Sequence, residues 1–182
     1  MELTITIEQY LIIKAMLAVA SKDKTRPTLG MVHYNATQYR LEATDGHILR
    51  VEDITLPVDK NILFRPEDLT FTLPQIKKMR GTKVMLFEPM VVNYIEATEA
   101  PSPYPDVERA IPTATISLEF DGVPMIGLDF AKYKQFLDSF HEDGSVFAMA
   151  FTKELGATLI YKEGEFKGMI MPCKINKQPV SY

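Results

Sequence analysis

Tryptophan is absent from the 182 residues, cysteine occurs once and histidine three times. A single thiol, Cys173, cannot close an internal disulfide, so nothing in the chain asks for an oxidising compartment. His33, His47 and His141 lie in separate segments with neither His-x-x-x-His nor Cys-x-x-Cys spacing, which leaves a metal site without support. No Walker loop, G-x-G-x-x-G or G-x-S-x-G is present, so the common nucleotide-binding and serine-hydrolase chemistries have no carrier. No apolar run approaches the roughly 20 residues of a membrane span. The start, MELTITIEQY, has no basic segment followed by an apolar one, so a cytoplasmic location is expected. Positive charge is also scarce: 20 Lys and Arg stand against 24 Asp and Glu, net -4, which argues against nucleic-acid binding by overall charge and leaves only local basic faces.

What is present is hydrophobic patterning, with 46% hydrophobic residues, enough to bury a core in one or two units. Leu3, Ile5 and Ile7 alternate with threonines as a half-buried strand does. Thr6 with Gln9 fits a capping box, and Tyr10, Ile13, Leu17 and Ala20 recur at helical spacing, predicting a helix through Ser21. Residues 31–34 and 39–43 read as strands joined near Asn35, and Asp45-Gly46 suits a tight turn into a strand over 48–55. The next segment has two readings. A strand over 69–73 followed by a helix over 75–80 opened by Pro74 is preferred to one helix from Pro66, which Pro74 would interrupt at a cost of about 3 kcal/mol. Strands at 84–87 and 91–97 precede a stiff connector, APSPYPDVERAIP, over 100–112. Beyond it Asp121-Gly122 marks a hairpin, and Asp129 caps a helix with Tyr133, Phe136, Leu137 and Phe140 on one face. Strands over 146–151, 157–161 and 166–175 complete an α+β chain of repeated helix-plus-antiparallel-sheet units.

Four pieces carry a resemblance: SKDKTRPTLGMV at 21–32, ATDGHIL at 43–49, YPDVERAIP at 104–112 and MIMPCKI at 169–175. Their identity and order make the chain resemble a shortened form of the bacterial DNA polymerase III beta sliding clamp. The resemblance implies a DNA-clamp-like fold in which 1–112 corresponds to the middle clamp domain and 113–182 to the C-terminal part of the last one. It implies a non-enzymatic processivity factor or clamp-related scaffold that needs no cofactor, contacts duplex DNA non-specifically and docks peptide motifs of DNA polymerase and clamp-loader proteins. By the matching pieces the peptide groove takes Leu29, Thr44, Gly46, His47, Leu49, Pro105, Met169, Met171 and Pro172, an adaptable apolar set. Leu29, Leu49 and Met171 suit a core equally.

The helices would face DNA with Lys14, Lys22, Lys24, Arg26, Lys77, Lys78, Arg80, Lys132 and Lys134, although cations near a helix C-terminus also answer the macrodipole alone. The chain departs from the family at Ile48, where clamps usually carry arginine, at Ala110, which replaces a larger aliphatic residue, and at Cys173 and Lys174, which replace methionine and arginine. Three helix-plus-strands units are an odd number. The last would leave Phe136, Phe140 and a sheet edge uncovered, so a homo-oligomer is expected. The alternatives are a non-encircling protein-interaction module with a clamp fold or, with less support, a small α+β enzyme.

Overall fold

The computed structural model describes residues 1–71, 89–111, 129–140, 147–151 and 157–172. Strand β1 (Glu2–Thr6) runs directly into helix α1 (Ile7–Met16). Thr6 makes the change abrupt: its hydroxyl accepts from the Gln9 N–H while the Gln9 side chain accepts from the Thr6 N–H, the reciprocal cap that the sequence spells. The helix ends at Met16, short of Ser21, because the N–H groups of Leu17, Ala18 and Val19 turn to carbonyls three residues back. A 3-10 turn over Pro27–Gly30 leads into a meander of β2 (Val32–Asn35), β3 (Arg40–Thr44) and β4 (Ile48–Asp53).

Strand β5 (Ile62–Phe64) is absent from the sequence reading. Its three residues are all apolar and all buried, so no alternation announces it. Residues 66–68 form one 3-10 turn and 69–71 no regular element, so the described part of the expected strand over 69–73 is not formed. The helix expected over 75–80, with Lys77, Lys78 and Arg80, the strand over 84–87 and the 121–122 hairpin lie outside the described residues. The strand expected over 91–97 is two: β6 (Pro89–Asn93) pairs with β1, and β7 (Ile95–Glu96) pairs with β5. The switch falls at Tyr94, whose N–H still bonds the Met1 carbonyl.

Helix α2 (Phe130–Leu137) starts where expected, with the Asp129 carboxylate accepting from the Ala131 and Lys132 N–H groups. Strands β8 (Phe147–Phe151), β9 (Thr158–Lys162) and β10 (Glu165–Ile170) follow. Strand β10 stops at Ile170, and Met171 and Pro172 lie beyond the ladder.

One eight-stranded sheet takes these strands in the order β7-β5-β2-β3-β4-β10-β9-β8, beside a two-stranded sheet of β1 and β6. Its two parts are joined by the antiparallel pair β4–β10, with Ile48 opposite Ile170, Leu49 opposite Met169 and Arg50 opposite Gly168. The sheet therefore runs through the boundary expected near residue 112. Alternation along β4 and β10 sorts the core into two faces. Ile48, Ile160 and Ile170 join α1 and Phe136 in the larger cluster, whereas Leu49, Val51, Leu159 and Met169 meet Val107 in a second. The expectation that Phe136 stands uncovered is thus corrected. It is fully buried in its own chain, edge-on to Phe140, which in turn contacts Phe147. Gly168 permits this approach: with φ 151°, a Cβ there would lie 2.0 Å from the Leu49 carbonyl oxygen and 2.7 Å from Phe136 Cε2. Among the described residues no helix is long and apolar enough to cross a membrane.

Candidate functional site

The turn between β3 and β4 is built by its own side chains. The Asp45 carboxylate accepts from the N–H groups of His47 (2.8 Å) and Ile48 (2.9 Å). The Thr44 hydroxyl donates to the Ile48 carbonyl at 2.6 Å and accepts from the Gly46 N–H at 3.0 Å. Gly46 sits at φ 92°, which a side chain would resist. The His47 carbonyl then accepts from the Met171 N–H at 2.8 Å. Residues from opposite ends of the chain meet here: Thr44, Gly46, His47 and Leu49 from one side, Met169, Met171 and Pro172 from the other.

Solvent reaches these residues unequally. Gly46 and His47 are exposed and Met171 is 43% exposed, with Thr44 and Pro172 intermediate. Leu49 and Met169 are buried in the second core cluster, so they back the junction and do not open onto it. Leu29 is half-buried in the 3-10 turn, which packs against β3, and its carbonyl accepts from the Ser21 N–H. Pro105 is exposed on the connector.

A polar network that the sequence reading missed straps the connector to the sheet. Tyr104 donates its hydroxyl to the Glu42 carbonyl, and its ring stacks on His33 at 4.6 Å. His33 Nδ1 donates to the buried Glu42 carboxylate at 2.9 Å, and Arg40 bridges Glu42 and Glu108 at 2.6 Å each. Burial alone would raise the Glu42 carboxyl, but the His33 and Arg40 bonds outweigh it and hold it below the ordinary glutamate value. Burial pushes the Tyr104 phenol well above its ordinary value. The signal for this network is only visible across strands: His33 and Glu42 are register partners on β2 and β3.

Six of the nine cations expected to face DNA are described, and four of the six are engaged within the chain. Lys132 pairs with Asp45, Arg26 with Asp23 (3.2 Å) and Lys134 with Asp138 (2.5 Å). The Lys14 ammonium bonds the Tyr10 hydroxyl and the carbonyls of Leu69 (3.0 Å) and Phe71. Its burial lowers its pKa, and burial likewise pushes the Tyr10 hydroxyl up to about 12. Lys22 and Lys24 are exposed and have no ion-pair partner among the described residues. Lys22, Asp23, Arg26, Asp45, His47 and Lys132 line one cavity of about 250 Å³ beside the turn. For Asp45, burial acts upward, yet the Lys132 ammonium and the two backbone N–H groups hold its carboxyl below the usual aspartate value.

On the helix side of β4, Arg50 is 2% exposed with its guanidinium 3.9 Å over the Phe140 ring. It pairs with Glu52, which also accepts from Lys167 at 2.8 Å, and Lys167 reaches Glu165 at 3.0 Å. Among the described residues Arg50 Nε has no hydrogen-bond partner.

No family model matches the chain, and no curated protein matches it. Solved structures do. The DNA polymerase sliding clamp of Bacillus subtilis superposes with a TM-score of 0.62 at 16% identity, over 96% of this chain and 64% of the clamp. The DNA polymerase III beta subunit of Thermotoga maritima gives 0.63 at 12% identity, over 96% and 65%. The chain has a sliding-clamp fold. The sliding clamp of Bartonella birtlesii, solved bound to griselimycin, gives 0.59 at 11% identity, over 96% and 66%. The chain spans about two thirds of the length of the clamps it matches.

Proposed function

We propose that the protein is a clamp-related scaffold for DNA replication proteins, a processivity factor and not a catalyst. Its β4–β10 junction docks short apolar peptide segments of DNA polymerase or clamp-loader type, and its helical side contacts duplex DNA non-specifically. The observation that carries this reading is the pairing of the ATDGHIL turn with the end of β10 on a clamp fold. That pairing places Gly46, His47, Met171 and Pro172 together at the surface. In this reading 1–112 serves as one clamp-like domain and 113–182 as a half-domain. An exposed backbone at Gly46 offers hydrogen bonds to an extended peptide, and Met171 offers it a deformable apolar contact.

A buried apolar anchor commonly contributes about 2 kcal/mol, near thirtyfold in affinity. Met171→Lys should therefore abolish binding of a fluorescent clamp-type peptide in an anisotropy titration while leaving circular dichroism unchanged. Equal affinity in the two proteins would remove the junction from consideration.

A second reading, a non-encircling interaction module, is favoured by the engagement of Lys14, Arg26, Lys132 and Lys134 in bonds within the chain. Retention on circular duplex DNA separates the two: binding that falls steeply with salt supports the processivity factor, and no retention at low salt supports the module.

A further inference from the structure

We infer that the connector is an autoinhibitory strap, whose Val107 holds the place on the β4–β10 pair that the apolar anchor of a docked peptide would take. The inhibitory role rests on the docking reading of the junction given above; the opening of the strap does not.

Side chains alternate along a strand, so His47, Leu49 and Val51 share one face of β4, as Met169 and Met171 do at the end of β10. The ladder sets Leu49 opposite Met169, and the bond from the Met171 N–H to the His47 carbonyl carries the same register one pair further. Exposed His47 and Met171 are therefore the open end of a strip whose next pair, Leu49 and Met169, is apolar and covered. Among the described residues the cover comes from the connector. Val107 is 4% exposed and packs with Leu49, Leu159 and Met169, with Tyr104 and Ile111 beside it. An extended peptide that starts on Met171 reaches the rest of the strip only where Val107 stands. Leu49 and Met169 thus belong to the core with the cover on and to the groove with the cover off.

The connector is held as a removable cover would be. Among the described residues its backbone N–H groups make only local backbone bonds, those of Ala100, Ala110 and Ile111 turning to Ala97, Val107 and Val107, and Pro101, Pro103 and Pro105 have no N–H to give. Attachment is by side chains. The Thr28 hydroxyl donates to the Ser102 carbonyl at 3.0 Å and lies 2.8 Å from the Ser102 hydroxyl. Tyr104 donates to the Glu42 carbonyl and stacks on His33, and Arg40 reaches Glu108. A proline-rich segment is stiff, so these attachments are coupled, and their release leaves the strand ladders beneath intact. With the strap down in most molecules, apparent peptide affinity is lowered in proportion to the open fraction. Loosening the strap then tightens docking, and locking it prevents docking.

Full-length Cys173→Ser protein, which has no other cysteine, is the parent for the tests. Val107→Cys in that parent reacts with an aromatic disulfide reagent through opening, and faster than the sheet unfolds, as timed by exchange of the β4 amides. Adding Tyr104→Phe, which removes one neutral hydrogen bond, speeds that reaction about fivefold. In an anisotropy titration with a fluorescent clamp-type peptide ending in two apolar residues, Tyr104→Phe binds about fivefold more tightly than the parent. Thr28→Cys with Ser102→Cys replaces two adjoining hydroxyls by thiols within reach of a disulfide. Oxidised, this protein binds the peptide about tenfold or more weakly than when reduced. The inference is overturned if the thiol at position 107 reacts only as fast as the sheet unfolds, if Tyr104→Phe weakens docking or leaves it unchanged, or if oxidation leaves affinity unchanged. Should the paired thiols fail to close or the variant fail to fold, Tyr104→Phe decides. Peptide binding by none of these proteins, with position 107 still reacting ahead of unfolding, overturns the docking reading and the inhibitory role together and leaves a strap that opens.

Discussion

Gly168→Ala tests the join between the two halves of the sheet. The added carbon would stand 2.0 Å from the Leu49 carbonyl oxygen and 2.7 Å from Phe136 Cε2. An ordinary carbon–oxygen contact is about 3.3 Å or more, so β4 and β10 must separate by more than an ångström, and Phe136 must shift as well. Forcing a methyl group into a packed core costs about 1–3 kcal/mol. The φ of 151° adds about 1 kcal/mol of backbone strain for a residue with a side chain. A total near 3 kcal/mol corresponds to a fall in Tm of roughly 6–12 °C for a domain of this size. Gly164→Ala provides the control: it too has a positive φ, 86°, but nothing lies within 4 Å of its Cβ, so only the backbone cost of about 1 kcal/mol applies. Thermal unfolding followed by near-ultraviolet circular dichroism, with hydrogen exchange on β4 and β10, reads both. If Gly168→Ala unfolds no earlier than Gly164→Ala, the close approach is not what sets this strand pair.

Acid should loosen the Asp45 turn. Its folded carboxyl lies below the ordinary value of about 3.9, so its stabilisation is complete above that value and lost as pH falls through the folded pKa. Lys132→Met removes one of the groups that lowers it, and the acid-unfolding midpoint should move to higher pH; a midpoint unchanged from wild type would show that the ion pair adds nothing. Glu52→Ala should cost about 3 kcal/mol in urea unfolding, since buried Arg50 loses its counter-charge. Glu165→Ala, at a side chain 68% exposed, should cost under about 0.5 kcal/mol, and equal effects would refute a buried origin for the difference.

Local chemistry was legible in the residues. Thr6 with Gln9, Asp129 before Phe130, and Asp45-Gly46 each satisfy backbone groups within three residues of themselves, so no tertiary knowledge is needed to place them. What escaped is non-local. Strand β5 is buried on both faces and has no period to read, and the division between β6 and β7 at Tyr94 follows from pairing with β1 and β5. The candidate site shows the same division. The motifs named Thr44, Gly46, His47, Met171 and Pro172 together, and those residues do converge. Of the two readings offered for Leu49 the core one holds, whereas the enclosure of Met169 was not foreseen, because alternation assigns a face without saying that Val107 of the connector covers it. His33 and Glu42 looked like ordinary strand residues until their register made them partners.

The pairing of β4 with β10 also has a temporal side. Arg50 bonds a carbonyl 117 residues downstream, and at ribosomal rates of about 5–20 residues per second that partner emerges roughly 6–23 s later. Throughout that interval the first meander can form behind the ribosome while the outer edge of β4 waits without its neighbour. High contact order of this kind slows folding and leaves an edge available to other nascent chains. The β4–β10 junction comes into being only when β10 arrives, so a chain released early would hold the first meander without the surface proposed to dock peptides.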